Sequence, residues 1–220
     1  MSICYLFDFD GTLVDSMPIY VSAMLRILDE NHINYDKSVV IKAITPLGLK
    51  GTADYYLNEL GLEISEEKLL SLMKKYVLDA YFYTIPAKSN VIPVLKELKQ
   101  RGISLNVLTA STHTSLDACL KRLGMWELFD NIWSCDDFST TKADPQIYVM
   151  AAQRLNTTVE NILFLDDNLN ADTAAKSAGM QVCGVYDDSS KDCVEQIKTI
   201  TDFYIYDFIE LLTLDITKKA

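Results

Sequence analysis

Ile3-Cys4-Tyr5-Leu6-Phe7-Asp8-Phe9-Asp10-Gly11-Thr12 runs apolar and then stops on two carboxylates, a glycine and a hydroxyl. Its apolar part has the length of a buried parallel strand and no clean alternation of inward and outward residues. Three later runs share this character: Ile103 to Leu108, Ile162 to Leu165 and Gln181 to Val185. The second of the four runs alternates more than the others. It ends in Thr109-Ala110-Ser111, and the third ends in Asp166-Asp167-Asn168. In an open parallel sheet the carboxyl ends of neighbouring strands meet at one edge, where ligands bind. Four carboxylates (Asp8, Asp10, Asp166, Asp167) and two hydroxyls (Thr109, Ser111) are therefore expected to converge on one small volume.

Helical patterns separate the later runs. Val91, Val94, Leu95 and Leu98 are spaced for one helix face, and Gly102 is placed to end it. Leu116, Cys119, Leu120 and Leu123 repeat the pattern up to Gly124. Ile147, Met150, Ala151 and Leu155 follow Pro145, a good first-turn residue, and Ala171 to Ala178 closes on Gly179. Strand and helix alternating from about residue 90 predict an α/β fold, a parallel sheet wrapped by helices.

Residues 16–85 break this rhythm. Val21, Met24, Leu25 and Leu28 make an amphipathic stripe after Pro18, and Asp54 to Leu60 and Glu66 to Tyr83 also read as helical. The stretch is expected to be a small all-helical insert, with the α/β core formed by residues 1–15 and 86–220. That division suits 220 residues, since one domain takes about 150.

Composition narrows the function classes. With 49% hydrophobic and 23% charged residues the chain is an ordinary globular one. Twenty basic against 31 acidic residues give a net charge of −11, which argues against generic binding to nucleic acid or an anionic membrane. No window is long and apolar enough to span a bilayer. The start of the chain lacks the basic residues and the length of a signal peptide. The five cysteines form no Cys-x-x-Cys pair, so a zinc site or disulfide framework is not expected and a reducing cytoplasm fits.

Carboxylates crowded at one edge repel one another unless a cation sits among them. Oxygen ligands with no His or Cys nearby suit Mg²⁺, which keeps some waters and binds phosphate oxygens. A carboxylate beside it can attack phosphorus, and a second carboxyl two residues on can protonate the leaving oxygen and then activate water. A hydroxyl, backbone N–H groups and a lysine would neutralise the transferring phosphoryl group.

These residues resemble a family. Asp8-Phe9-Asp10-Gly11-Thr12-Leu13-Val14-Asp15-Ser16 is similar to the first motif of the haloacid dehalogenase-like superfamily of phosphatases and phosphomutases. Leu105 to Thr109 resembles its second motif, Lys142-Ala143-Asp144-Pro145-Gln146-Ile147-Tyr148 its third, and Phe164-Leu165-Asp166-Asp167-Asn168 its fourth. The helical insert matches the mobile cap of the phosphoglycolate phosphatase and β-phosphoglucomutase branch. The resemblance implies a Rossmann-like core with a helical cap, Asp8 as nucleophile, and Asp10 as general acid/base whose backbone carbonyl also binds Mg²⁺. It implies Thr109 and the backbone of Ala110 and Ser111 around the phosphoryl oxygens, and Lys142 bridging Asp8 and that group. Asp167 is the implied direct metal ligand, and Asp166 a direct or an outer one. Lys50, in Leu49-Lys50-Gly51, stands where capped relatives contact the rest of the substrate; a solvated lysine is the equal alternative.

There are departures from the family pattern. Ala143 replaces a proline, and Ala171 stands where some relatives carry Asp, with Asp172 displaced by one residue and not assigned as a ligand. The implied activity is Mg²⁺-dependent hydrolysis of a small phosphomonoester through an aspartyl-phosphate, by a monomer. A sugar phosphomutase using the same nucleophile is the alternative. Asp15-Ser16-Met17-Pro18 resembles the phosphatase version and Tyr20 stands where sugar mutases of this branch typically have His, whereas Leu49-Lys50-Gly51 and Thr109-Ala110-Ser111 resemble mutase segments. A phospho-accepting signalling module is opposed by the early Asp-x-Asp pair, the late acidic pair and the insert. A silent binding protein is opposed by the retention of Asp8, Asp10 and Lys142. His113, just after the second motif, is expected to cap the helix that begins there, with contact to the substrate as the alternative.

Overall fold

Tyr5, Leu6 and Phe7 are all buried, so β1 (Cys4–Phe7) has neighbours on both faces and both edges. The structure, a computed structural model, describes residues 4–45 and 47–214; Ile3, the expected first residue of this strand, lies outside them. Five more strands follow: β2 (Ser104–Thr109), β3 (Asn131–Ser134), β4 (Ile162–Asp166), β5 (Gln181–Val185) and β6 (Phe203–Ile205). All are parallel, in the order β3-β2-β1-β4-β5-β6. The chain steps from β1 outward to β2 and β3, then returns to lay β4 on the other side of β1. That reversal opens a crevice at the carboxyl ends of β1, β2 and β4. Register sets what lines it. Phe7 pairs with Val107 and Leu165, and the Asp8 N–H donates to the Leu165 carbonyl at 2.8 Å. Thr109 and Asp166 are the last residues of their strands.

The chain divides into two compact units, Met1–Asp15 with Pro86–Ala220, and Ser16–Ile85. The second unit is helical: α1 (Met17–Glu30), α2 (Lys37–Ile44), α3 (Leu49–Asn58) and α4 (Glu66–Tyr83). Met24, Leu28, Ile44, Tyr56, Leu69 and Met73 form its core. Three of these helices follow the sequence periodicity, and α2 does not. Its Val39-Val40-Ile41 run has poor helix propensity, and the Asp36 carboxylate offsets this by accepting the Ser38 and Val39 N–H groups.

The first unit carries α5 (Val91–Gln100), α6 (His113–Arg122), α7 (Gln146–Arg154), α8 (Leu169–Ser177) and α9 (Val194–Ile200). Ile147, Tyr148 and Ala151 of α7 and Ala171, Ala174 and Ala175 of α8 pack with Leu6, Ile162, Phe164 and Val182 of the sheet. β6 leads into a 3₁₀ turn at Phe208–Leu212. No helix among the described residues is long and apolar enough to cross a membrane.

Candidate functional site

The loop after β1 is a tight turn built on Gly11. The Gly11 N–H donates to the Val14 carbonyl at 3.0 Å, and the Leu13 and Val14 N–H groups both donate to Phe9. Gly11 has φ +77°, in the region that favours glycine, and a Cβ there would lie 2.6 Å from both carboxylate oxygens of Asp167. Only a residue without a side chain lets this loop and the end of β4 meet. The next residue completes the contact, because the buried Thr12 hydroxyl lies 3.2 Å from Asp167 Oδ1 and donates to it.

Asp8, Asp166 and Asp167 are all buried, and each offers a carboxylate oxygen within 4.8 Å of the others. The Lys142 Nζ lies 2.6 Å from Asp8 Oδ1 and 2.6 Å from Asp166 Oδ2. The second oxygen of Asp166 accepts the Asn168 N–H at 2.8 Å. Asn168 also caps α8 by accepting the Asn170 and Ala171 N–H groups, which fixes the turn that follows the acidic pair. Lys142 is held through its own backbone: the Tyr148 hydroxyl lies 2.9 Å from the Lys142 carbonyl and 3.0 Å from that of Ala171.

The electrostatics follow from this crowding. Burial pushes the Asp8 carboxyl up to about 7, with Lys142 opposing and Asp166 adding to the shift. Burial, then the charges of Asp166 and Asp8, hold Asp167 well above the usual carboxylate range. Burial alone would lower the Lys142 ammonium, but Asp166 and Asp8 outweigh it and raise it well above its ordinary value. One ammonium faces three buried carboxylates, and a divalent cation that prefers oxygen ligands is what such a set accommodates. The donor set therefore fits Mg²⁺, with Asp8, Asp166 and Asp167 as the carboxylates that would hold it.

Asp10 is not in that group of three. Its Oδ2 accepts the Ser111 hydroxyl at 2.5 Å. The Ser111 hydroxyl is thus engaged with Asp10, while the Ser111 N–H, part of the backbone expected around the phosphoryl oxygens, donates to Thr109 Oγ1 at 3.1 Å. Thr109 is buried and Ala110 exposed at the mouth of the same turn. Lys50 is exposed in the first turn of α3, in the helical unit.

His113 corrects an expectation. Thr112, not His113, occupies the N-cap of α6, and His113 is the first helical residue. Its ring nitrogens lie 2.9 Å from Asp117 and 2.9 Å from Asp137, so it ties α6 to the turn after β3. Thr12 and Tyr148 were present in the motifs but carried no assigned role. A hydroxyl beside Gly11, and a phenol six residues after Lys142, were the available signals. Asp172 is buried, and neither of its carboxylate oxygens has a hydrogen-bond partner among the described residues.

Comparison with known proteins identifies the family and the fold. The sequence profile of the family described as "Haloacid dehalogenase-like hydrolase" matches residues 5–185. Validoxylamine A 7'-phosphate phosphatase of Streptomyces hygroscopicus subsp. limoneus is 28% identical over 183 residues, covering 82% of this chain and 84% of that protein. Pyrophosphatase PpaX of Oceanobacillus iheyensis is 24% identical over 209 residues, covering 95% and 94%. Among solved structures, a HAD family hydrolase from Deinococcus radiodurans R1, with bound phosphate and sodium, superposes with a TM-score of 0.80 at 20% identity. That match covers 96% of this chain and 93% of the other.

Proposed function

We propose, for a chain that belongs to the haloacid dehalogenase-like hydrolase family, that it hydrolyses a small phosphomonoester in two steps through a phosphorylated Asp8. The observation that carries this reading is the joint approach of Lys142 to Asp8 and Asp166 beside Asp167, at the ends of β1 and β4. Relatives named as a phosphatase and a pyrophosphatase support it.

In the first step an Asp8 carboxylate oxygen forms a bond to phosphorus as the bond to the ester oxygen breaks. Asp10 gives its proton to the departing alcohol. In the second, water attacks phosphorus, its proton passes to Asp10, and the bond to Asp8 breaks to release phosphate. Lys142 keeps Asp8 oriented and balances charge on the phosphoryl oxygens, with the Thr109 hydroxyl and the backbone of Ala110 and Ser111 beside them. Asp8, Asp166, Asp167 and the Asp10 carbonyl would hold Mg²⁺, which when bound draws charge from the phosphoryl oxygens. By its resemblance the helical unit is a cap, with Lys50 a candidate contact to the leaving group. All five cysteines are free thiols, which suits a reducing cytoplasm.

A panel of phosphate esters, including phosphoglycolate and β-glucose 1-phosphate, assayed with and without Mg²⁺, tests this. Mg²⁺-dependent phosphate release that disappears in Asp8→Asn is expected. Glucose 6-phosphate formed with little phosphate release would replace hydrolase by mutase. Release that persists in Asp8→Asn would overturn the nucleophile assignment.

A further inference from the structure

Lys88 lies outside every motif, yet it grips the Gly11 turn at two points. Its N–H donates to the Leu13 carbonyl at 3.0 Å, and its Nζ donates to the Gly11 carbonyl at 2.6 Å. The ammonium's other two donors go to the Tyr186 carbonyl at 2.6 Å and to Asp187 Oδ2 at 3.0 Å. All three of its donors are therefore matched. The side chain is 19% exposed and that of Asp187 6%. Asp187 is itself fixed, since its other oxygen accepts the Ser189 N–H and hydroxyl. The loop that follows β5 thus anchors the loop that follows β1, with Lys88 as the link.

What this link fixes is the seat of Asp167. The Gly11 backbone lies directly against the Asp167 carboxylate, and Thr12, on the other side of the same peptide, donates to it. A Gly11 carbonyl free to rotate would carry both contacts with it. The geometry points to Lys88 as a positioning residue of the phosphoryl-transfer site: by holding the Gly11 peptide it keeps Asp167 and the Asp10–Thr12 backbone in place to bind the divalent cation. This deepens the phosphatase reading above and rests on it for the identity of the cation.

The sign of one measurement separates position from charge. Lys88 is a cation near an acidic cluster. If it acted only through charge, Lys88→Met would make the site more negative and tighten Mg²⁺ binding. If it positions the turn, the same change weakens binding. Lys88→Met also strands Asp187 in a buried place and can unfold the protein, so Lys88→Met/Asp187→Asn, which removes both charges, is measured beside it. Titration calorimetry of the full chain with Mg²⁺ alone gives the affinity, and thermal unfolding reports folding.

The expected result is a dissociation constant raised at least about tenfold in the single variant, as for other residues that support metal ligands from behind. The double variant should retain that loss although its melting temperature recovers towards wild type. Tighter binding in the single variant, or wild-type affinity in the double variant, overturns the proposal. So does a wild-type protein that binds no Mg²⁺. Failure of the phosphatase reading shows separately, as Mg²⁺ binding by wild type with no ester turned over, and the Lys88 comparison decides as before.

Discussion

The Lys142 ammonium sits 2.6 Å from Asp8 Oδ1, and both side chains are nearly closed to solvent, 13% and 6% exposed. An ion pair so placed cannot lose one partner cheaply. In the metal-free protein Lys142→Met leaves Asp8 and Asp166 buried without their cation, a loss of about 3–5 kcal/mol by analogy with broken buried pairs. Its kcat should fall by at least about a hundredfold, as when a donor to a developing phosphoryl charge is removed. Urea unfolding and steady-state assays on the same preparation check both. A stable variant with near-normal kcat would place Lys142 outside the reaction.

Mg²⁺ binding should depend on pH in a defined direction. Asp8 is pushed up to about 7 and Asp167 is raised as well, so in metal-free protein below neutrality these ligands hold protons that the cation must displace. Affinity should rise as pH rises through about 7, and binding at pH 6 should release protons. Calorimetry in buffers of different ionisation enthalpy measures that release. Affinity independent of pH from 5.5 to 8 would contradict the assignment of these ligands.

Asp172→Asn should stabilise the metal-free protein. Burial, then the charges of Asp166 and Asp167, push the Asp172 carboxyl up to about 9 from an ordinary 3.8. The folded state therefore binds a proton that the unfolded chain releases. The contribution of this group is full below about 3.8 and is lost progressively as pH climbs to about 9. Asn cannot ionise, so the variant's advantage should grow across that window by up to about 1.4 kcal/mol per pH unit. Denaturation with EDTA present at pH 5 and pH 8 is the check. A variant less stable than wild type at both values would give Asp172 a structural role as an acid.

His113 gives the same direction with pH for a different reason, because its charged form is the one the fold favours. Its ring is raised above 6.5 by hydrogen bonds to Asp117 and then Asp137. The stabilisation it supplies is full below about 6.5 and lost as pH rises through the higher folded value. His113→Gln should lower the melting temperature at pH 6 more than at pH 9. An equal drop at both would mean that the imidazole acts by packing and not by charge.

The sequence carried the fold where local chemistry decides it. The apolar run into Asp8 and the runs into Thr109 and Asp166 are legible because a strand buried on both faces is built mainly of apolar residues, Asn106 being a buried polar exception in β2. Their convergence follows from parallel topology. α2 was not legible, because its β-branched residues favour extended backbone and its stability comes from the Asp36 cap and from burying Val40 and Ile44. Lys88 was not legible either. Its partners Gly11 and Tyr186 are backbone carbonyls, which leave no mark on residue type, and Asp187 is 99 positions away. The contact between the Ser111 hydroxyl and Asp10 left no mark in the sequence, since which way a loop hydroxyl turns depends on what stands opposite it.

The central claim is a covalent bond between Asp8 and phosphorus, and trapping it is the most direct test. Wild-type protein turning over an accepted ester with Mg²⁺ is quenched in acid, treated with borohydride, which reduces an acyl phosphate to an alcohol, and digested for peptide mass spectrometry. The account predicts homoserine at position 8, present only when ester is added. Rapid turnover with position 8 unmodified, or homoserine at another aspartate, would contradict it.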